Sequence, residues 1–120
     1  MFKFIKHEKP TPYDEAVSLI WYLENVFYET AGAMMQYIQK NILKGEMPKN
    51  DILNLGFWPG GDRDGNPYVT TEITLKVADR LRTSILKSYY NDIRKLKRKL
   101  TFAGVDIIIA DIESKLYRSV

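Results

Sequence analysis

Trp58-Pro59-Gly60-Gly61-Asp62-Arg63-Asp64-Gly65-Asn66-Pro67-Tyr68-Val69-Thr70-Thr71 is the stretch that decides how this chain folds. No helix can run through it. Gly60, Gly61 and Gly65 permit positive φ, while Pro59 and Pro67 lack donors and hold the residues before them extended. Asp64-Gly65-Asn66 predicts a tight turn, because Asp and Asn side chains bond nearby backbone. A compact loop over 56–71 should therefore carry Asp62, Arg63 and Asp64 close together. Thr70 or Thr71 then caps a helix, with Glu72 favourable in its first turn.

Three ligand loops fail on spacing. A calcium loop starting at Asp62 needs Gly at its sixth position and an acid at its twelfth; Gly65 is fourth and Ile73 is twelfth. The Gly-Lys-Ser/Thr of a Walker loop is absent. Gly60, Gly61 and Gly65 do not match the dinucleotide fingerprint. A structural reading stays open, in which Arg63 is clamped between Asp62 and Asp64, since ion-pair networks also occur without function.

The eleven positions from Gly60 to Thr70, G-G-D-R-D-G-N-P-x-V-T with Tyr68 at the free position and Phe57-Trp58 before them, resemble the signature of phosphoenolpyruvate carboxylase. So dense a match is far more specific than a lone glycine fingerprint. Pro10 to Ala16 resembles the start of the family's helix before this loop, and the charged helix after it also fits. The family's chains are several times longer, so the resemblance implies a fragment of a larger α/β-barrel enzyme.

That family joins phosphoenolpyruvate and bicarbonate to give oxaloacetate and phosphate, through carboxyphosphate and the enolate of pyruvate, with Mg²⁺ or Mn²⁺. Its chemistry is anionic throughout and requires donors aimed at phosphate and carboxylate oxygens. The resemblance implies catalytic Arg63, whose planar fork can hold an oxyanion at two points, with Asp62 and Asp64 orienting it. It implies substrate-binding Trp58, Gly60, Gly61 and Asn66, with Trp58 on the apolar wall of the pocket. The family's Thr-Ala-His-Pro-Thr-Glu-like motif, acidic metal ligands, active-site lysine and mobile Arg-Gly loop are absent from these residues. The segment alone is therefore expected to be inactive, and the metal's ligands to lie elsewhere. The full enzyme is expected to be a homo-oligomer, a tetramer, in the cytoplasm.

The chain has 120 residues, one domain's worth or less, no cysteine, and a net charge of +3. This excludes a disulfide framework and a cysteine zinc site. No apolar run approaches the ~20 residues of a membrane span, and Met1-Phe2-Lys3-Phe4-Ile5-Lys6 is too short and charged for a secretory signal. The basic run Arg94 to Lys99 lacks aromatic interleaving and reads as a solvated helix end near its C-terminal dipole, so no nucleic acid is expected. His7 reads as a solvated side chain.

Periodicity predicts the rest. Thr11, Pro12, Asp14 and Glu15 open a helix over 12–43, one long helix or two collinear ones with a bend near Gly32, with Tyr13, Ala16, Ile20, Leu23, Phe27, Ala31, Met34, Ile38 and Ile42 on one face and Val17, Trp21, Tyr28 and Met35 as a second, adjoining apolar stripe. Further helices are expected over 72–100 and 106–118, the last with Ile108, Ile109, Ile112 and Leu116 inward. The fold class is mainly α: long antiparallel helices joined by the glycine-rich loop, with at most one short strand, near Ile52 to Trp58. A contrasting reading is a non-enzymatic helical module that docks a partner through exposed apolar stripes.

Overall fold

The first helix starts where the capping residues place it. In the computed structural model, which describes residues 9–47, 49 and 53–120, helix α1 spans Pro12–Tyr22. Thr11 Oγ1 accepts from the Asp14 N–H at 3.2 Å, and Asp14 Oδ2 accepts from the Thr11 N–H at 3.0 Å. This reciprocal box satisfies donors that the first turn leaves orphaned, a contribution of about 1 kcal/mol. Helix α2 spans Tyr28–Asn41, helix α3 Thr71–Lys99 and helix α4 Val105–Ser119. The fold is mainly α, and no strand occurs among the described residues. The entry segment 1–8, with His7, lies outside them, as does Ile52.

The helical path from Pro12 is not regular. Leu23–Phe27 forms a π-helical turn that joins α1 to α2 without a break. The irregularity sits here and not near Gly32, where α2 runs through unbroken. A π turn widens the ring by one residue and so shifts the phase of everything after it. Before it, Ala16 and Ile20 are buried as the 3.6-residue period requires. After it, Tyr28 is partly buried, while Phe27, which the unshifted period places inward, is 47% exposed. Met35 is likewise partly buried, and Met34 is exposed.

The direction of packing also differs from expectation. Glu24 meets Arg80, with 3.8 Å between Oε1 and Nη2. Further along, Tyr28 meets Asp92 at 2.8 Å. Residue numbers rise together on both sides, so α1, the π turn and the start of α2 run in the same direction as α3. The helices on either side of the glycine-rich loop are therefore not antiparallel. The start of α3 lies beside the start of α1, where Thr11, Tyr13, Ile73 and Lys76 line one cleft. The antiparallel pair is α3 with α4, joined by a short turn. Lys97 reaches Glu113 at 2.6 Å, and the Tyr90 and Tyr117 rings lie 6.0 Å apart, so numbers fall on one side as they rise on the other.

The buried line of α3 is centred on Val77 and Ser84, with Ile73, Arg80, Leu81, Ser88 and Asp92 partly covered. Arg80 thus lies against the neighbouring helix. In α4 Ile109 is buried, but Ile108 is 61% exposed. The core is thin. The chain exposes 10137 Å², whereas a compact monomer of 14.0 kDa exposes about 6,700 Å². Tyr89, Ile93, Leu96, Ile112 and Leu116 line an open apolar groove between α3 and α4.

Candidate functional site

The glycine-rich stretch folds as a tight loop on the first turns of α3. Gly60 is buried with φ +80°, and a Cβ there would lie 2.7 Å from Val77 Cγ2. Only glycine combines this backbone with so close an approach. The Thr74 hydroxyl donates to the Gly60 carbonyl at 2.7 Å. Gly61 N–H donates to the Trp58 carbonyl at 2.8 Å, and Arg63 N–H donates to the Gly61 carbonyl at 3.0 Å.

The second half of the loop is built by side-chain acceptors. Asp62 Oδ1 accepts from the Gly65 N–H at 3.0 Å, and Asn66 Oδ1 accepts from the Tyr68 N–H at 3.0 Å. The Asn66 carbonyl accepts from Val69 N–H at 3.0 Å, and Val69 is buried. A Cβ on Gly65 would sit 2.6 Å from Asp62 Oδ2, so the carboxylate closes over the glycine. Thr70 then caps α3, its Oγ1 accepting from the Ile73 N–H at 3.3 Å. Short Asx contacts of this kind hold a loop without help from secondary structure.

Within this frame Asp62, Arg63 and Asp64 are consecutive, yet their roles separate. Asp62 is half-buried and engaged with Gly65; Arg63 and Asp64 are exposed. Among the described residues Arg63 forms no ion pair, so the two aspartates do not clamp it. A guanidinium without a carboxylate partner keeps its full donor fork for an anion. Trp58 is 70% exposed, an indole face ready to wall an adjoining ligand. Gly60, Gly61 and Asn66 shape the backbone. Thr74 was not legible as part of this site, because nothing in the spacing of α3 says that its hydroxyl turns back to the loop.

Among the described residues no group of three or more His, Asp or Glu side chains could hold a metal ion. The perturbed groups lie on the scaffold. Burial first, then the hydrogen bond to Asp92, pushes the Tyr28 phenol up to about 12. Lys76 hydrogen-bonds Glu72 at 2.9 Å on the exposed first turns of α3, which lowers the glutamate and raises the lysine.

Comparison with known proteins gives one answer. The family profile described as phosphoenolpyruvate carboxylase matches residues 2–118. The chain is 31% identical to the phosphoenolpyruvate carboxylase of Shewanella loihica, over 97% of this chain and 14% of that protein. It is 34% identical to that of Shewanella sediminis, over 81% of this chain and 12% of the relative. It is 28% identical to that of Rhodothermus marinus, over 82% of this chain and 11% of the relative. No solved structure matches. The chain thus spans only a small part of the length of the curated relatives it matches. With the signature carried on a loop of the geometry above, and the match running almost end to end, this chain belongs to the phosphoenolpyruvate carboxylase family.

Proposed function

We propose that this chain is the loop-bearing segment of an enzyme that carboxylates phosphoenolpyruvate with bicarbonate, giving oxaloacetate and phosphate. The observation that carries the reading is Arg63, an exposed guanidinium without an ion-pair partner among the described residues, held on a loop whose backbone is bonded on both sides of it. Negative charge develops on the enolate oxygen as the phosphoryl group passes to bicarbonate, and on the oxygens of the new carboxylate as the carbon–carbon bond forms, and a preorganised donor fork stabilises them without reorganising. Trp58 supplies an apolar wall. Gly61 lets backbone approach the ligand closely, Gly60 seats the loop against Val77, and Asn66 and Asp62 keep the loop's shape. Asp64, exposed beside Arg63, tunes its field.

The remaining chemistry comes from elsewhere in the full polypeptide. The divalent cation, Mg²⁺ or Mn²⁺, supplies charge neutralisation there when bound. We place the enzyme in the cytoplasm as a homo-oligomer, a tetramer, with an α/β barrel outside this segment. The exposed groove between α3 and α4 and the accessible surface of 10137 Å² suit helices that pack against further chain. The segment alone should not turn over.

The test is Arg63→Lys in the full-length carboxylase. Lysine keeps the charge and loses the fork. Turnover is expected to fall about 10²–10³-fold, as when one oxyanion donor is lost, with the melting temperature unchanged. Wild-type turnover in a folded Arg63→Lys enzyme would remove Arg63 from the chemistry.

A further inference from the structure

Thr74 sits in the second turn of α3, beneath the loop. Its hydroxyl has two acceptors in reach: the Thr70 carbonyl one turn back at 3.3 Å, and the Gly60 carbonyl at 2.7 Å. A helical threonine ordinarily bonds back to the i−4 carbonyl. Here the shorter contact leaves the helix and crosses to the loop.

The acceptor belongs to the peptide plane between Gly60 and Gly61. Its other end, the Gly61 N–H, donates to the Trp58 carbonyl at 2.8 Å. A peptide unit is planar, so holding both ends fixes its rotation. The Gly61 carbonyl then receives the Arg63 N–H at 3.0 Å. The Thr74 hydroxyl and the Trp58 carbonyl thus hold the two ends of the Gly60–Gly61 plane, and the next peptide unit, one Cα further on, carries the carbonyl that receives the backbone of Arg63. Two adjacent glycines have more backbone freedom than any other pair. Without a donor from below, this plane is the place where the loop can flip.

We propose that Thr74 is the positioning residue of the loop: its hydroxyl holds the Gly60–Gly61 peptide and through it aims Arg63. The proposal rests on the reading that Arg63 meets an anionic oxygen, and it separates from that reading in the test. Thr74→Val keeps the branched shape and removes the donor; Thr74→Ser keeps the donor.

In this chain, amide hydrogen exchange at Gly61 is expected to run about five- to tenfold faster in Thr74→Val, as loss of one hydrogen bond implies, with Ile109 in α4 unchanged and Thr74→Ser near wild type. In the full-length carboxylase, Thr74→Val is expected to lower kcat by a similar factor at unchanged melting temperature, with Thr74→Ser restoring it. Wild-type exchange at Gly61 in Thr74→Val overturns the proposal. So does faster exchange with unchanged kcat in an enzyme where Arg63→Lys is impaired. Faster exchange with both Thr74→Val and Arg63→Lys fully active leaves Thr74 holding the peptide and refutes the role given to Arg63.

Discussion

The Tyr28 hydroxyl donates to Asp92 Oδ2 at 2.8 Å, joining the start of α2 to α3 across a seam 64 residues apart in sequence. The π turn over Leu23–Phe27 makes the contact possible, because it rotates Tyr28 into the position that a regular helix assigns to Phe27. The Tyr28 and Tyr89 rings, 6.2 Å apart, flank the bond. Removing the hydroxyl in Tyr28→Phe leaves Asp92 with its exposed partner Lys95 alone. A hydrogen bond to a charged group contributes about 1.5–3 kcal/mol. Urea unfolding of Tyr28→Phe should show a loss toward the lower end of that range.

The same contact carries a pH signature. The phenol's folded value is raised from 10.0 to about 12. A raised value means that the folded state holds its proton longer, so the stabilisation is complete below pH 10 and is lost as pH rises toward 12. The stability difference between wild type and Tyr28→Phe should therefore be constant from neutral pH to about pH 9 and shrink above pH 10. Paired urea titrations across that range check it; a difference that grows with pH contradicts the geometry.

Gly60→Ala should unseat the loop. The new methyl would meet Val77 Cγ2 at 2.7 Å, and the backbone stands at φ +80°. Strain plus overpacking costs about 2–4 kcal/mol. The thermal midpoint should drop, and Trp58 fluorescence should change at temperatures where the helical circular dichroism is intact. Gly32→Ala provides the contrast, since nothing lies within 4 Å of its added methyl; a helix-interior Gly→Ala change stabilises by about 0.5–1 kcal/mol.

Asp62 should tolerate loss of charge better than loss of its acceptor. In Asp62→Asn an oxygen remains for the Gly65 N–H, now at 3.0 Å from Oδ1. In Asp62→Ala it does not, and a loss of about 1 kcal/mol is expected. Equal destabilisation of the two variants would mean that the charge, and so an ion pair, holds the loop.

Glu113 receives Lys97 at 2.6 Å and Arg94 at 4.0 Å, joining α3 to α4 at the surface. Exposed pairs of this kind contribute about 0–1 kcal/mol and are screened by salt. Glu113→Gln should lower stability by no more than that, and the difference should vanish in about 1 M NaCl, where the screening length is near 3 Å.

Local chemistry in the sequence determined the loop, the helix start at Thr11, and a cap at Thr70 or Thr71 for the helix that follows the loop. Caps, prolines and glycines act within a few residues, so their consequences are written where they stand. The family was legible for the same reason: its signature is one contiguous run. Only the tertiary structure decided what is not local. A one-residue phase shift at Leu23–Phe27 leaves no mark in composition, yet it exchanges Phe27 for Tyr28 at the seam. The direction in which α1 and α3 lie depends on how residues 42–70 travel, and no periodicity encodes a path. Charge alternation in Asp62-Arg63-Asp64 suggested a clamp, but Asp62 turns to the Gly65 N–H, because a carboxylate three residues back reaches that donor without immobilising a long side chain. Thr74 reads as one more residue of a helix until the fold sets Gly60 above it.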